Sequence, residues 1–229
     1  MNILYCGDKP MQKGILLSSM SLIKNVDEPL NIYILTVDYR EKGINYKPVD
    51  KAFAKYLKEK LNKSDIKVNI FLVDVTRYFV EELPEANMQS RFTACCMLRL
   101  FADKTDIKDR VLYLDTDVLC RKDFRDFYYQ NMDGIEIAGV SDYYGRWLFG
   151  DGYINSGVML MNMRMIRQNG LLEKCREQCI RKEMFMPDRR LLIHLQQELI
   201  CADESLMTRG DCMTTLFFSI LQLPSGCFR

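Results

Sequence analysis

Apolar runs alternate with amphipathic segments along the first part of the chain. The runs at residues 2–6, 31–37 and 68–73 are short and rich in β-branched or aromatic side chains, which predicts strands. Between them, residues 11–25 and 49–61 carry apolar positions three and four apart, the period of an amphipathic helix. Strands that alternate with helices in this way predict a parallel sheet with right-handed crossovers.

The same alternation continues further along the chain. Three more apolar runs predict strands, at residues 110–120, 135–140 and 154–162. Four segments predict helices, at residues 91–101, 123–128, 163–169 and 171–181, with Gly170 separating the last two. The predicted fold class is therefore α/β, with a Rossmann-like, mostly parallel central sheet flanked by helices.

Two carboxylates interrupt the apolar run at residues 110–120. Asp115 and Asp117 are separated by Thr116, after which the apolar residues resume. If the strand continues through them, its alternation points both side chains to one side. Neighbouring carboxylates at the end of a buried strand repel each other and are costly to desolvate unless a cation lies between them. The pair fits a divalent cation with oxygen ligands, and the alternative is a polar strand-to-loop corner with solvated acids.

Asp8 follows the first predicted strand, directly after Gly7. Open α/β sheets bind ligands there, beyond the carboxyl ends of their strands. The surrounding residues lack the Gly-x-Gly-x-x-Gly and P-loop patterns, so a nucleotide at this place is held by other means. A capping role at the start of the following helix is the alternative for Asp8.

Composition and charge restrict the class of partner. The 229 residues suit one sizeable domain, and their net charge of +1 gives no indication of a nucleic-acid partner. No apolar run reaches transmembrane length. The nine cysteines include no Cys-x-x-Cys pair and no signal peptide is recognisable, so we expect reduced thiols and a cytoplasmic location. Cys175 and Cys179, four residues apart on a predicted helix, favour packing over metal binding.

Several of these segments, in this order, resemble glycosyltransferase family 8, which contains retaining bacterial galactosyl- and glucosyltransferases. The resemblance rests on Asp8, Met-Leu-Arg-Leu at 97–100, Leu-Asp-Thr-Asp at 114–117, Tyr-Ile-Asn-Ser-Gly-Val-Met-Leu-Met-Asn at 153–162 and Met-Pro-Asp at 186–188. It implies a GT-A fold, a UDP-sugar donor, Mn²⁺ or Mg²⁺ as cofactor, and a glycan or lipid-linked saccharide acceptor of the lipopolysaccharide type. It also implies that the protein is located in the cytoplasm, or peripherally at the inner membrane face.

The resemblance implies roles for the residues that match the family pattern. Asp115 and Asp117 match its metal-binding carboxylates, with Thr116 between them in the donor site. Gly7 and Asp8 match the segment that contacts the uracil or ribose end of the nucleotide.

At the sugar end, the resemblance implies a second group of residues. Arg99 matches a donor contact, with a surface ion pair as the alternative. Asp142 and Asp188 match acids beside the reacting sugar, and no catalytic base is assigned. A polar corner matches the strip along the donor sugar and the departing phosphate: Asn155, Ser156 and Gly157.

The resemblance ends after Asp188. The family continues Asp-Gln-Ser-Ala-Leu-Asn, whereas this chain reads Asp-Arg-Arg-Leu-Leu-Ile. Loss of one nucleotide from a codon path for the first sequence yields the second, and residues 204–229 back-translate in the restored frame into a family-like segment containing Gln-His-Phe. We therefore expect a catalytic domain over residues 1–188 and a frameshifted tail over residues 189–229, which is poorly packed, or helical in its first part by local propensity only. Resequencing the gene across codons 188–190 tests this expectation.

The tail also lacks two features of the family, a metal-binding His near the C terminus and a Lys-Pro-Trp-like segment that covers the diphosphate. His194, the only histidine, is not expected to replace that ligand. We therefore expect a hexosyltransferase with weak UDP binding and little transfer as written, or an inactive UDP-sugar-binding remnant. A haloacid-dehalogenase-type phosphatase is a further alternative. In that class, however, the Asp-x-Asp follows the first strand, and Thr or Val takes the place of Leu119.

Overall fold

The computed structural model describes residues 1–41, 43–62, 64–88, 94–141, 154–181, 199–201 and 218–220. Its strands are β1 (Asn2–Cys6), β2 (Leu30–Thr36), β3 (Val68–Asp74), β4 (Arg110–Leu114), β5 (Val118–Cys120), β6 (Ile137–Ser141), β7 (Ile154–Asn162), β8 (Leu199–Cys201) and β9 (Phe218–Ile220). Its α-helices are α1 (Gln12–Asn25), α2 (Lys51–Leu61), α3 (Thr76–Glu81), α4 (Arg125–Tyr129), α5 (Met163–Asn169) and α6 (Leu171–Arg181). A long 3₁₀ helix spans Ala94–Lys104, and shorter ones span Lys9–Met11 and Glu85–Asn87.

The main sheet, as far as these residues show it, has seven strands in the spatial order β3-β2-β1-β4-β7-β6-β8. β3, β2, β1 and β4 pair in parallel, and β8 pairs in parallel with β6. β7 is antiparallel to both of its neighbours, so it alone among these strands runs in the opposite direction. A mostly parallel sheet between helices confirms the predicted α/β class.

Both faces of the sheet are buried. In β1, Ile3 and Tyr5 pack in a core with α1, α2 and α4, whereas Leu4 and Cys6 pack in a second core with the long 3₁₀ helix and α6. Because the central strands bury both of their faces, they are continuous apolar runs in the sequence, whereas the edge strand β3 leaves Phe71 exposed.

The strand order creates a crevice at the carboxyl ends of the central strands β1 and β4. The chain moves outward from β1 through β2 to β3 and then returns to the other side of β1, where β4 lies. Ligands bind open α/β sheets beyond the carboxyl ends of the strands at such a reversal. Gly7 and Asp8 follow β1, and residues 115–117 follow β4, so the fold brings both predicted segments to one crevice.

The strand predicted over residues 110–120 is divided into two. β4 ends at Leu114 and β5 begins at Val118, and the turn between them is closed by a hydrogen bond from Val118 N to Asp115 O (3.1 Å). Asp115 and Asp117 therefore lie on a turn, so the alternation of side chains along a strand does not place them. The helix predicted over residues 91–101 is a 3₁₀ helix, Ala94–Lys104, and residues 91–93 lie outside the described residues.

Two short strands lie in the tail that was expected to be poorly packed or helical. β8 pairs with β6 in the main sheet, and β9 pairs with β5 in a separate ladder. An edge strand offers unpaired N–H and C=O groups, so a short apolar segment gains backbone hydrogen bonds by aligning with it. A helix was expected only in the first part of the tail. Residues 199–201 form a strand instead, and the frameshift itself stays a prediction.

None of the helices in the described ranges combines the length and the apolar character that crossing a bilayer requires.

Candidate functional site

A cavity of about 150 Å³ opens at the crevice beyond β1 and β4. Its lining combines β4 and the turn after it with residues from β1, from the 3₁₀ turn Lys9–Met11 and from the long 3₁₀ helix. The lining residues are Cys6, Met11, Cys95, Cys96, Tyr113, Asp115, Thr116 and Asp117. The structure thus places both acids of the Asp-x-Asp segment on one cavity beside the end of β1.

Helix α1 holds the Asp-Thr-Asp turn in place. A Cβ atom on Gly14 would come within 2.4 Å of the Thr116 carbonyl oxygen, so a larger residue there would displace the turn. The following strand is bonded to the same helix, because Cys120 N donates to Ser21 Oγ (2.8 Å) and Asn25 Nδ2 donates to Cys120 O (3.1 Å). The position of the carboxylates is therefore fixed by helix packing as well as by the sheet.

The Asp115 carboxylate is held by two side chains. Tyr113 Oη donates to Oδ1 at 2.6 Å, and Arg99 Nη2 donates to the same oxygen at 3.4 Å. Its backbone N–H donates to Gly157 O at 2.9 Å. The side chain nevertheless stays 34% exposed, so Asp115 is fixed by the protein and still accessible from the cavity.

Arg99 is buried under the site, with only 1% of its surface exposed. Its Nη1 donates to Ser156 O at 2.6 Å and its Nε donates to Cys96 O at 2.8 Å. Its Cζ lies 4.2 Å from the centroid of the Tyr113 ring, in cation–π geometry. The alternative of a surface ion pair is therefore wrong. Arg99 joins the turn that carries Asp115 to the β7 segment at Ser156.

The predicted polar corner is an irregularity in the pairing of β6 with β7. The register shifts between Gly139 and Val140, where part of β7 bulges out of the ladder. Within the bulge, Gly157 N donates to Asn155 Oδ1 at 2.9 Å. A Cβ atom on Gly157 would lie 2.9 Å from Asp115 Oδ2, so a side chain there would push against the Asp115 carboxylate.

Asp117 is half-buried beside Asp115. Its pKa is raised, first by burial and then by the charge of Asp115, which shows that the two carboxylates are close enough to repel. A hard cation relieves that repulsion, and carboxylate oxygens are the ligands that Mn²⁺ and Mg²⁺ prefer. In the part of the chain that the structure describes, no three or more His, Cys, Asp or Glu side chains are grouped to hold an ion. The described residues therefore contribute two carboxylates.

Asp8 is a buried acid near the same cavity. It is the N-cap residue of the 3₁₀ turn Lys9–Met11, where its side chain makes no full capping hydrogen bond, although the backbone N–H groups of Asp8 and Met11 act on its carboxylate. The residue is 7% exposed, and its Oδ1 has no hydrogen-bond partner among the described residues. Burial raises the pKa of Asp8, whose charge in turn acts on Cys95 in the cavity wall. A buried acceptor without a partner is a place where a ligand N–H or hydroxyl can bond.

Gly7 follows β1 directly and leaves room for Met11 to pack against the backbone. Its N–H donates to Leu35 O at 3.0 Å, which continues the ladder one residue beyond β1. A Cβ atom there would come within 3.1 Å of Met11 Cβ and Sδ. Gly7 therefore acts on the site through backbone geometry.

Sequence reasoning missed Tyr113, Cys95 and Cys96. Tyr113 carries no distinctive signal, because a tyrosine within an apolar run is common in buried strands. The two cysteines carry no signal either, because only the packing of the 3₁₀ helix brings them to the cavity. Two predicted residues, Asp142 and Asp188, lie outside the described residues.

Comparison with curated proteins finds relatives that are much longer than this chain. Glycosyltransferase GlyA from Streptococcus pneumoniae serotype 4 (strain ATCC BAA-334 / TIGR4) is 24% identical over 169 residues, which are 68% of this chain and 20% of GlyA. A probable glycosyl transferase, Gly, from Streptococcus gordonii is 27% identical over 86 residues, which are 38% of this chain and 13% of that protein. The chain thus spans a fifth or less of the length of these relatives.

Comparison with solved structures finds the same fold. The galactosyltransferase LgtC, crystallised in complex with donor and acceptor sugar analogs, superposes with a TM-score of 0.70 at 18% identity, over 89% of this chain and 74% of LgtC. The glycosyltransferase GlyE from Streptococcus pneumoniae TIGR4 superposes with a TM-score of 0.65 at 19% identity, over 89% of this chain and 46% of GlyE. These structures share the GT-A fold.

The sequence profile of Glycosyl transferase family 8 matches residues 2–202. That range contains every described element of the site, from Gly7 after β1 through the Asp115–Asp117 turn to the bulge of β7. Sequence profile and fold agree, and the chain belongs to glycosyl transferase family 8.

Proposed function

We propose that the chain is a metal-dependent retaining glycosyltransferase that moves a hexose, galactose or glucose, from a UDP-sugar to a glycan or lipid-linked saccharide. The observation that most supports this proposal is the turn that carries Asp115 and Asp117. It presents two carboxylates to one cavity at the strand-order reversal, and Tyr113 and Arg99 hold the first of them. Membership of the family supports glycosyl transfer in general, and a cytoplasmic or peripheral membrane location stays a prediction.

Asp115 and Asp117 are the residues that would hold Mn²⁺ or Mg²⁺, because they form a hard oxygen donor set whose mutual repulsion a cation relieves. When bound, such an ion supplies positive charge against the diphosphate as the bond between sugar and UDP breaks.

Other residues of the chain position the donor in this proposal. Asp8 accepts a hydrogen bond at the nucleoside end, because its buried Oδ1 has no hydrogen-bond partner in the described residues. The corner Asn155, Ser156 and Gly157 lies against Asp115 and borders the sugar and the departing phosphate. Asp142 and Asp188 are proposed beside the reacting sugar.

Calorimetric titration of UDP in the presence of Mn²⁺ tests the proposal. We expect wild type to bind UDP in a Mn²⁺-dependent way, and Asp115→Asn or Asp117→Asn to weaken binding beyond the roughly 10–100-fold typical of residues that only support a ligand. Asp133→Asn is the matched control. Asp133 is exposed and lies beside Arg110 at the amino end of β4, opposite the end that carries Asp115. The control should therefore bind like wild type.

Assays of UDP-galactose and UDP-glucose consumption then separate the two related hypotheses. Binding with sugar transfer supports the transferase, whereas Mn²⁺-dependent binding without turnover identifies an inactive remnant. Absence of Mn²⁺-dependent UDP binding by wild type, or undiminished binding by both Asn variants, contradicts the proposed site. The match of the glycosyl transferase family 8 profile to residues 2–202 argues against the phosphatase alternative.

A further inference from the structure

Tyr113 is a buried tyrosine whose hydroxyl reaches the proposed metal ligand. The residue is 2% exposed, and its Oη donates to Asp115 Oδ1 at 2.6 Å, the length of a charge-assisted O–H···O⁻ bond. A tyrosine side chain carries its hydroxyl proton at neutral pH, so Tyr113 is the donor in this bond and the carboxylate is the acceptor. The Arg99 guanidinium lies over its ring at 4.2 Å and restricts the ring from that face.

The two oxygens of the Asp115 carboxylate have different surroundings. Oδ1 receives the hydrogen bonds from Tyr113 and Arg99. Oδ2 lies beside Gly157, where a Cβ atom would come within 2.9 Å of it. Both side-chain donors are therefore on one oxygen, and the neighbour beside the other oxygen is a glycine, which has no side chain.

We propose that Tyr113 is a positioning residue that fixes the rotation of the Asp115 carboxylate, so that Oδ2 is the oxygen presented to the cation. This inference rests on the proposed function. A carboxylate with both donors on one oxygen has one favoured orientation about its Cβ–Cγ bond. Without the hydroxyl, the carboxylate rotates more freely and loses the ordering that supports a metal ligand.

Arg99 does not supply this constraint by itself. Its hydrogen bond to Oδ1 is long, at 3.4 Å, and its other nitrogens donate to Ser156 O and Cys96 O. The Tyr113 hydroxyl, 0.8 Å closer to Oδ1, is the stronger determinant of the carboxylate orientation.

The experiment compares Tyr113→Phe with Tyr5→Phe. Tyr5 lies on the neighbouring strand β1, is fully buried, and donates to Ser18 Oγ at 2.8 Å on the other face of the sheet. Each variant removes one buried hydroxyl and keeps the ring, so similar falls in Tm are expected. In calorimetry with UDP and Mn²⁺, we expect Y113F to raise the Kd roughly 10–100-fold and Y5F to change it less than about twofold.

Gly157→Ala is the second variant. Its Cβ would contact Oδ2, so weaker binding is expected although the Tyr113 hydroxyl is intact. Wild-type affinity in Y113F, or an equal loss in Y5F, overturns the role of Tyr113, and undiminished binding in G157A overturns the assignment of Oδ2. If wild type shows no Mn²⁺-dependent UDP binding, the proposed function itself fails. If wild type binds and only the predictions for the variants fail, the inference about Tyr113 fails and the proposed function stands.

Discussion

Two buried arginines contact the same 3₁₀ helix, Ala94–Lys104, and they serve different purposes. Arg99 lies on that helix, and Arg176 of α6 donates to the helix at Leu100 O. Their exposures are 1% and 2%. Each guanidinium lies over an aromatic ring, 4.2 Å from the centroid of Tyr113 for Arg99 and 5.4 Å from that of Phe101 for Arg176.

The carboxylates around the two arginines differ. Arg176 pairs with Glu82 at 2.6 Å and with Asp103 at 2.7 Å, and Lys104 also reaches Glu82 at 3.2 Å. These groups neutralise one another and join α6 to the 3₁₀ helix. Arg99 lies 3.4 Å from Asp115, a carboxylate that also lines the cavity. The cluster around Arg176 is thus a structural brace, whereas the pair around Arg99 includes a group that is free to meet a ligand.

The largest expected effect comes from breaking the structural cluster. Arg176→Met keeps apolar bulk over Phe101 but leaves Glu82 and Asp103 without the guanidinium. Loss of one partner from a buried ion pair costs about 3–5 kcal/mol. Because Glu82 is partly exposed, we expect the free energy of unfolding to fall by about 3 kcal/mol. Urea denaturation measures the change. Mn²⁺–UDP affinity of the folded variant should equal that of wild type, and a loss below about 1 kcal/mol would contradict the assignment of a brace.

The same substitution at the other arginine should act on binding. Arg99→Met removes the bond to Asp115 Oδ1 and the bond to Ser156 O, so we expect Mn²⁺–UDP affinity to fall roughly 10–100-fold in calorimetry. The loss of unfolding free energy should be smaller than for R176M, because Asp115 is 34% exposed and water can solvate its charge. Unchanged affinity, or a larger stability loss than R176M, would show that Arg99 is the structural arginine.

The smallest expected effect is on the pH dependence of stability. Burial by itself raises the pKa of Glu82, but the hydrogen bonds and charges of Arg176 and Lys104 outweigh it and bring the pKa below the ordinary value of 4.5. A carboxyl whose pKa is lower in the folded state stabilises the fold above its unfolded pKa, and this contribution disappears as the pH falls through the folded pKa. In urea denaturation, the stability difference between wild type and Glu82→Gln should be constant between roughly pH 6 and 8 and shrink below about pH 4.5. A difference that grows toward acid pH would reverse this sign.

Local pattern was sufficient for several elements. The predicted bounds of β1, β7, α5 and α6 agree with the structure, because each is a short apolar run or an amphipathic segment with clear breaks. Gly170 separates the last two helices in the left-handed conformation, with φ of 66°. The strand over residues 110–120 was predicted too long, because Asp115 and Asp117 form a turn that apolar neighbours on both sides conceal.

Only part of the candidate site could be predicted from local sequence pattern. Asp115, Asp117 and the Asn155–Gly157 corner are identified by residue type and order, and the structure brings them together. Tyr113 and the burial of Arg99 were not, because a tyrosine in an apolar run and an arginine on a helix have several common environments. Their roles depend on which atoms of other segments lie within hydrogen-bond distance.

The sequence by itself determined the alternation of strands and helices, the acid pair and the resemblance to the family. Each of these follows from local periodicity or from the order of residue types along the chain. Only the tertiary structure decided the strand order, the reversal of β7, the burial of Asp8 and the pairing of Arg99 with Asp115. Burial and partner depend on which distant segments the crossovers bring together, and the periodicity of a single segment does not encode its neighbours in space.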